Sequence, residues 1–155
     1  MNTALKALGI LLCLVAGVII SQQYIIPIIF PPEISGIVAD ETIDIQFGYA
    51  YEVSDLFNSG DTIDVTIEVK SGGTIDILLL NSGDKIDWDD FFQNDIGSFS
   101  YVQAGSGFNV ESIHYRFTLP TSDRYFVVLN NAGGINGGAV PIAEVTVYIK
   151  IIIEH

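Results

Sequence analysis

The chain has 155 residues, 49% of them hydrophobic, with 6 basic and 19 acidic side chains. This composition excludes an intrinsically disordered chain, which lacks the apolar residues needed for a core. From Glu33 to the C-terminus there are five basic and 19 acidic residues, a net charge of −14. So acidic a surface repels phosphate backbones and excludes nucleic acid as a partner. Cys13 is the single cysteine, so the chain cannot form an internal disulfide.

The N-terminal segment is predicted to be a transmembrane helix. Residues 4–20 read ALKALGILLCLVAGVII, with Lys6 as their only charged side chain. A helix needs about 20 residues to cross a hydrocarbon core of ~30 Å, and residues 4–23 satisfy that length. Prolines at positions 27, 31 and 32 end any helix soon afterwards. We therefore expect an anchor with a short proline-rich linker over residues 1–32, and a domain over residues 33–155.

Basic residues predict the orientation of this anchor. The α-amino group and Lys6 precede the apolar run, and the next basic residue is Lys70. The positive-inside rule then places the N-terminus in the cytoplasm and the domain outside, in a single-pass protein of the cell membrane. A cleaved signal peptide with a cut near Ser21 is the alternative. In both interpretations the domain is exported from the cytoplasm.

Beyond Ile34 the sequence has the pattern of β-strands, because apolar and polar residues alternate between turn residues. The predicted strands, in chain order, are Thr42–Phe47, Thr62–Lys70, Thr74–Leu80, Ser98–Ala104, Val110–Leu119, Arg124–Asn130 and Pro141–Glu154. A glycine-rich loop is expected at residues 131–138. The predicted fold class is all-β: an antiparallel β-sandwich of about seven or eight strands, jelly-roll-like, with a barrel as the alternative.

One helix is predicted inside the domain, over Asp84–Asn94. We expect Asp84 to cap its N-terminus, because aspartate is a favoured capping residue. The side chains expected to pack inward are Ile86, Trp88, Phe91 and Phe92.

The same segment is the best candidate for a cofactor site. Its carboxylates could supply oxygen ligands to Ca²⁺, which binds six to eight of them. The candidate ligands are Asp84, Asp87, Asp89 and Asp90, with Asp95 nearby. Their spacing does not fit an EF-hand loop, because no glycine follows Asp89 and no glutamate stands at the bidentate position. A solvated helix face is the alternative interpretation.

Three segments carry a resemblance to a known family: residues 72–80 (GGTIDILLL), 115–120 (YRFTLP) and 123–131 (DRYFVVLNN). Together they resemble membrane-anchored archaeal and bacterial β-sandwich domains of the GOLD-like and pre-peptidase C-terminal-like type. The resemblance covers roughly residues 60–152, and it departs at residues 122–124 (SDR), where the family often has glycine before the tyrosine. It implies a binding or accessory module without catalytic residues.

The expected function is non-enzymatic. The sequence contains no nucleophile-elbow, zinc-ligand or P-loop motif. We expect a membrane-tethered, extracytoplasmic module that contacts the bilayer through residues 4–23 and binds a protein or glycan partner. The alternative is a structural subunit of a cell-surface filament or layer, in which residues 22–30 (QQYIIPIIF) form an apolar arm for strand exchange. Homo-oligomerisation is compatible with both.

Aromatic residues are spread over the whole domain. Most are expected to form core and cross-strand pairs, and some could line a sugar or peptide groove. They are Tyr49, Tyr51, Phe91, Phe92, Phe99, Tyr101, Phe108, Tyr115, Tyr125 and Phe126.

Overall fold

The computed structural model of the protein describes residues 34–94 and 97–155, with side-chain environments from Gly36 onward. The predicted transmembrane helix and Asp95 lie outside these residues. Within them, none of the helices has the length and apolar character needed to span a bilayer.

Eight strands and one α-helix form the described part of the chain. The strands are β1 (Ile34–Ile45), β2 (Ala50–Phe57), β3 (Thr62–Ser71), β4 (Ile75–Asn81), β5 (Gly107–Val110), β6 (Ser112–Thr118), β7 (Asp123–Asn130) and β8 (Val145–Glu154). Helix α1 (Ser82–Asn94) follows β4, and a short 3₁₀ turn (Gln103–Gly105) precedes β5. The predicted antiparallel β domain of seven or eight strands is confirmed.

The strands form two four-stranded sheets in which every pairing is antiparallel. Sheet one has the order β1-β8-β3-β6, and sheet two has the order β2-β7-β4-β5. All consecutive strands except β4 and β5 therefore lie in opposite sheets. This is the strand order of an eight-stranded jelly roll, and it agrees with the predicted sandwich rather than with the barrel.

The two ends of the sandwich carry different features. At the terminal end, β1 begins beside the end of β8, where Ile34 pairs with Glu154. From there β1 runs for 12 residues, about 36 Å at roughly 3.3 Å per residue, to the loop end. Because successive strands reverse direction, the loop end carries the β1–β2, β3–β4 and β5–β6 turns and the long β7–β8 loop.

The main core lies between the two sheets, where alternate side chains of each strand meet. In β3 the side chains of Ile63, Val65 and Ile67 are fully buried, whereas the residues between them form part of the polar outer face of sheet one. Burial of a Val, Ile or Leu side chain contributes about 1.5–3 kcal/mol. The alternation predicted for this strand is therefore what joins the sheets.

Strand β4 differs from the others because both of its faces are buried. The odd-numbered side chains of Ile75–Leu80 face the main core, and Leu78 and Leu80 face a second cluster on the outer side of sheet two. Helix α1 supplies the cover for that side. Its Trp88 is 2% exposed and stacks on Phe92 with ring centroids 5.1 Å apart.

The predicted helix exists, but two of its details are wrong. It begins at Ser82, and its capping group is the side-chain oxygen of Asn81, which accepts the backbone N–H of Asp84 at 2.9 Å. Asp84 is thus the third helical residue rather than the cap. Ile86 is 65% exposed and does not pack inward, because it lies on the side of the helix opposite the sheet.

Several predicted strands differ from the observed ones. The predicted strand Ser98–Ala104 is wrong: this stretch is irregular and ends in the 3₁₀ turn. The predicted strand Val110–Leu119 is two strands, because the chain turns between sheets at Glu111. Strand β2 was not expected, since Asp55 and the weak alternation around it give no clear period of two.

We expect Trp88→Ala to lower the free energy of unfolding by about 3–5 kcal/mol, because it opens a cavity beneath α1. The matched control is Ile86→Ala in the same helix, which removes an exposed side chain and should change stability by less than about 0.5 kcal/mol. Urea denaturation followed by circular dichroism measures both. Equal losses for the two variants would contradict the packing of α1 on sheet two.

Tyr115 of β6 gives a second stability prediction. Its hydroxyl is buried and has no hydrogen-bond partner among the described residues, and burial raises the pKa of the Tyr115 hydroxyl well above its ordinary value. Tyr115→Phe should therefore raise the free energy of unfolding by about 1 kcal/mol at neutral pH. Urea denaturation checks this, with Tyr101→Phe as the exposed control; a loss of stability would contradict it.

The wild type and the Tyr115→Phe variant should also differ in how their free energy of unfolding depends on pH. Above pH ~10 the unfolded chain ionises Tyr115 while the folded chain keeps it neutral, so the wild type loses stability as the pH rises. Tyr115→Phe lacks this loss. The stability difference between variant and wild type should widen between pH 9 and pH 11 (~two units around the ordinary tyrosine pKa).

Candidate functional site

A groove runs along the outer face of sheet two, between α1 and the edge strand β2. It encloses about 440 Å³. Helix α1 packs over β4 and β7, so the outer face of β2 stays uncovered and forms one wall. Val128 contributes to the floor, and the rings of Tyr49, Trp88 and Phe92 line the sides. We call this the helix–strand groove.

The aromatic side chains of the groove have different roles. Tyr49 is 63% exposed, so its ring is available for stacking. Trp88 is buried and packs beneath the groove wall. Tyr49 and Phe92 are two of the ten aromatic residues of which most were expected in core and cross-strand pairs and some along a groove, and both line this groove. An exposed tyrosine beside an apolar floor presents a large, rigid contact surface, as is typical of binding sites.

The charged groups of the groove form one compact set. The Lys85 ammonium lies 2.7 Å from Asp89 and 3.0 Å from Glu52, which links α1 to β2. Burial disfavours the charged form of Lys85, but hydrogen bonds to both carboxylates outweigh it, so the pKa of Lys85 is raised. The ammonium also lies 5.4 Å from the ring centroid of Phe126. Lys85 therefore stays charged, and its two ion pairs hold α1 beside β2.

The charged groups of the groove are paired with each other, and the histidines lie away from it. The carboxylates of Glu52 and Asp89 are both occupied by Lys85. The two histidines lie elsewhere: His114 contacts Asp64 on sheet one, and His155 contacts Asp61 at the terminal end. Across residues 34–94 and 97–155, no three potential ligand side chains are gathered in a way that could hold a metal ion.

Asp76 organises the loops at the loop end. Its side chain is fully buried on β4. One carboxylate oxygen accepts the backbone N–H of Asn109 at 2.9 Å and that of Ala139 at 2.6 Å, and the other accepts the Asn130 side chain at 3.4 Å. A Cβ at Gly138 would lie 2.5 Å from this carboxylate, so only glycine fits there. Asp76 thus ties the glycine-rich loop to the sheet.

Asn131 joins the neighbouring loops to each other. Its side-chain amide donates to the carbonyl of Ile45 at 3.0 Å and to that of Ala143 at 2.9 Å. Its backbone N–H donates to Tyr49, and its carbonyl accepts the N–H of Gly48, both at 3.0 Å. The β1–β2 turn that carries Tyr49 is therefore fixed to the β7–β8 loop.

The four candidate calcium ligands all lie on α1, but the structure does not bring them together. Asp89 is paired with Lys85, and Asp90 accepts a hydrogen bond from the Asn94 side chain at 3.4 Å. Asp87 is exposed, and Asp84 is half-buried near the helix start. Calcium binding by these residues stays a prediction.

Glu52, Lys85 and Asp76 were not anticipated from sequence. Lys85 and Glu52 are far apart in the chain, and neither stands in a motif. Asp76 did have a signal, since it is the only charged residue within the apolar run of residues 75–80. A charge in a doubly buried strand must be hydrogen-bonded, because an unpaired buried charge is very costly.

Comparison with known proteins leaves the chain without a family. No family model matches it, and no curated protein matches it in sequence. Among solved structures, the chain is similar to Aeromonas hydrophila PliG, a periplasmic lysozyme inhibitor of g-type lysozyme. The two are 12% identical, the match covers 75% of this chain and 85% of that one, and the TM-score is 0.47. A likeness at this level leaves the function of the chain open.

We expect Asp76→Ala to lower the free energy of unfolding by about 3 kcal/mol, because it leaves the buried N–H of Ala139 and the partly buried N–H of Asn109 without an acceptor. Asp76→Asn keeps an acceptor but adds a second donor toward Asn130, so its loss should be smaller. Hydrogen exchange should quicken first at the Ala139 and Asn109 amides. Unchanged exchange at these amides in Asp76→Ala would contradict the anchoring role.

The calcium prediction is tested by thermal melting. A ligand that binds only the folded state raises the melting temperature. If the four aspartates bind Ca²⁺, millimolar Ca²⁺ should raise the melting temperature more than Mg²⁺ does, and the double variant Asp87→Asn, Asp90→Asn should lose this rise. An equal shift with the two ions would contradict the calcium site.

Proposed function

We propose that this protein is a non-enzymatic, membrane-tethered binding module whose domain lies outside the cytoplasm and binds a protein partner. The single observation that carries the proposal is the helix–strand groove. It combines an exposed tyrosine, the Val128 side chain at its floor and a fixed set of charges. An exposed aromatic anchor next to polar groups is typical of protein-binding surfaces.

Two features of the sequence support the tether and the location. The apolar segment at residues 4–23 has the length of a membrane span, and the basic residues around it place the domain outside. The resemblance to GOLD-like and pre-peptidase C-terminal-like domains supports an accessory role without catalysis.

The tether is tested on the native N-terminus. Mass spectrometry of the chain isolated from its membrane should find the peptide that begins at or beside Met1. Proteinase K added to intact cells should cleave the domain. A mature N-terminus near Gln22 would contradict the tether and favour the filament subunit, and protection of the domain in intact cells would contradict its location.

Binding is tested at the groove itself. A photo-crosslinking amino acid at Gln93, which is exposed at the groove edge, should form an adduct with a partner protein in the native membrane. Tyr49→Ser should reduce that adduct at least about tenfold, as expected for an aromatic anchor. The control Leu56→Ser, at a residue exposed on β2 near the terminal end, should leave it unchanged. Specific binding of glycans with no protein adduct would contradict a protein partner.

A further inference from the structure

Four of the eight large apolar side chains that are exposed among the described residues lie at the loop end. Phe47 and Tyr49 lie in the β1–β2 turn and are 60% and 63% exposed, and Val140 and Ile142 lie in the β7–β8 loop and are both 79% exposed. We call these four residues the loop-tip patch. Single exposed apolar residues need no explanation, but a group of them on neighbouring loops marks an interaction site.

The loops that carry the patch are held rigidly. Asn131 bonds to the backbone of both loops, and Asp76 holds the β7–β8 loop at Ala139. Gly72 of the β3–β4 turn is in contact with the backbone of Glu144, which leaves no room for a side chain at position 72. A surface fixed in advance loses less conformational entropy when it binds, so apolar side chains presented in this way favour affinity.

The acidic residues around the patch indicate what kind of partner it suits. Asp44, Glu111 and Glu144 lie on the strand end and loops of the loop end, and all three are exposed. Lys70 at the same end is neutralised by Glu68 at 2.6 Å. Among the described residues no basic side chain pairs with Glu111 or Glu144. The rim is therefore negative, and a partner with a basic rim complements it.

Two other occupants fit less well. A second copy of this chain brings the same acidic rim and a net charge of −14 from Glu33 onward, so the copies repel each other. A bilayer with anionic lipids repels the rim as well.

We propose that the loop-tip patch docks a protein whose contact surface has an apolar centre and a basic rim. This rests on the proposed function and names a second surface of the same module. The patch and the helix–strand groove share Tyr49. One partner can therefore place apolar side chains over the loop tips and extend into the groove.

The experiment uses the full chain in its native membrane. A photo-crosslinking amino acid is placed at Val140 or at Ile142, and the control positions are Leu56 and Ile86, which are 66% and 65% exposed on other parts of the surface. We expect one protein to be crosslinked from the two loop positions and not from the controls. Crosslinking to a second copy of the chain, or to lipid alone, would overturn the proposal.

The crosslinked protein is then purified and its affinity for the full chain in detergent is measured by calorimetry. Ile142→Ser should raise the Kd at least about tenfold, whereas Leu56→Ser should change it less than about twofold. Added NaCl should weaken binding, and Glu144→Lys should reduce that salt dependence. Equal effects of the Ile142 and Leu56 variants, or binding that salt does not weaken, would overturn the proposal.

The position at Gln93 separates this proposal from the proposed function. If Gln93 captures a protein while Val140 and Ile142 do not, the module binds through its groove alone and the inference about the patch fails. If none of the three positions captures a protein, both the binding function and the patch are wrong.

Discussion

Strand β4 must be covered on both faces, and the other features of the domain follow from that constraint. Its run of apolar side chains cannot face water on either side, so sheet one covers one face and helix α1 covers the other. The helix is long enough to cover β4 and β7 but leaves the edge strand β2 open. The helix–strand groove is therefore a direct result of how the buried strand is shielded.

Buried polar groups then determine the shape of the loop end. Asp76 and Asn131 are both fully buried, and each accepts or donates several hydrogen bonds to loop backbone. Such groups are costly unless they are hydrogen-bonded, so the Asp76 carboxylate and the Asn131 side-chain N–H groups favour the loop arrangement that pairs them. The Asn131 side-chain oxygen is buried without a partner among the described residues.

The surface features of the domain are divided between two ends and two faces. Its outer sheet-one face is polar, with cross-strand pairs such as Arg116 with Glu154 and Thr62 with Thr118. The terminal end joins to the segment that we propose as the tether. The groove and the loop-tip patch lie on the remaining surfaces, and they share Tyr49. A tethered module that binds a partner away from its attachment point needs this division.

The sequence alone determined the β architecture, because a period of two in residues 62–70 and 145–153 has only one way to bury its apolar side. It also predicted the presence of α1 and the glycine-rich loop. It did not predict β2, the Asn81 cap or the exposure of Ile86, because these depend on which other segments of the chain pack against each residue. Only the tertiary structure brought Lys85 to Glu52 and Asp76 to Ala139, because these pairs are joined by packing between distant segments and not by any local pattern.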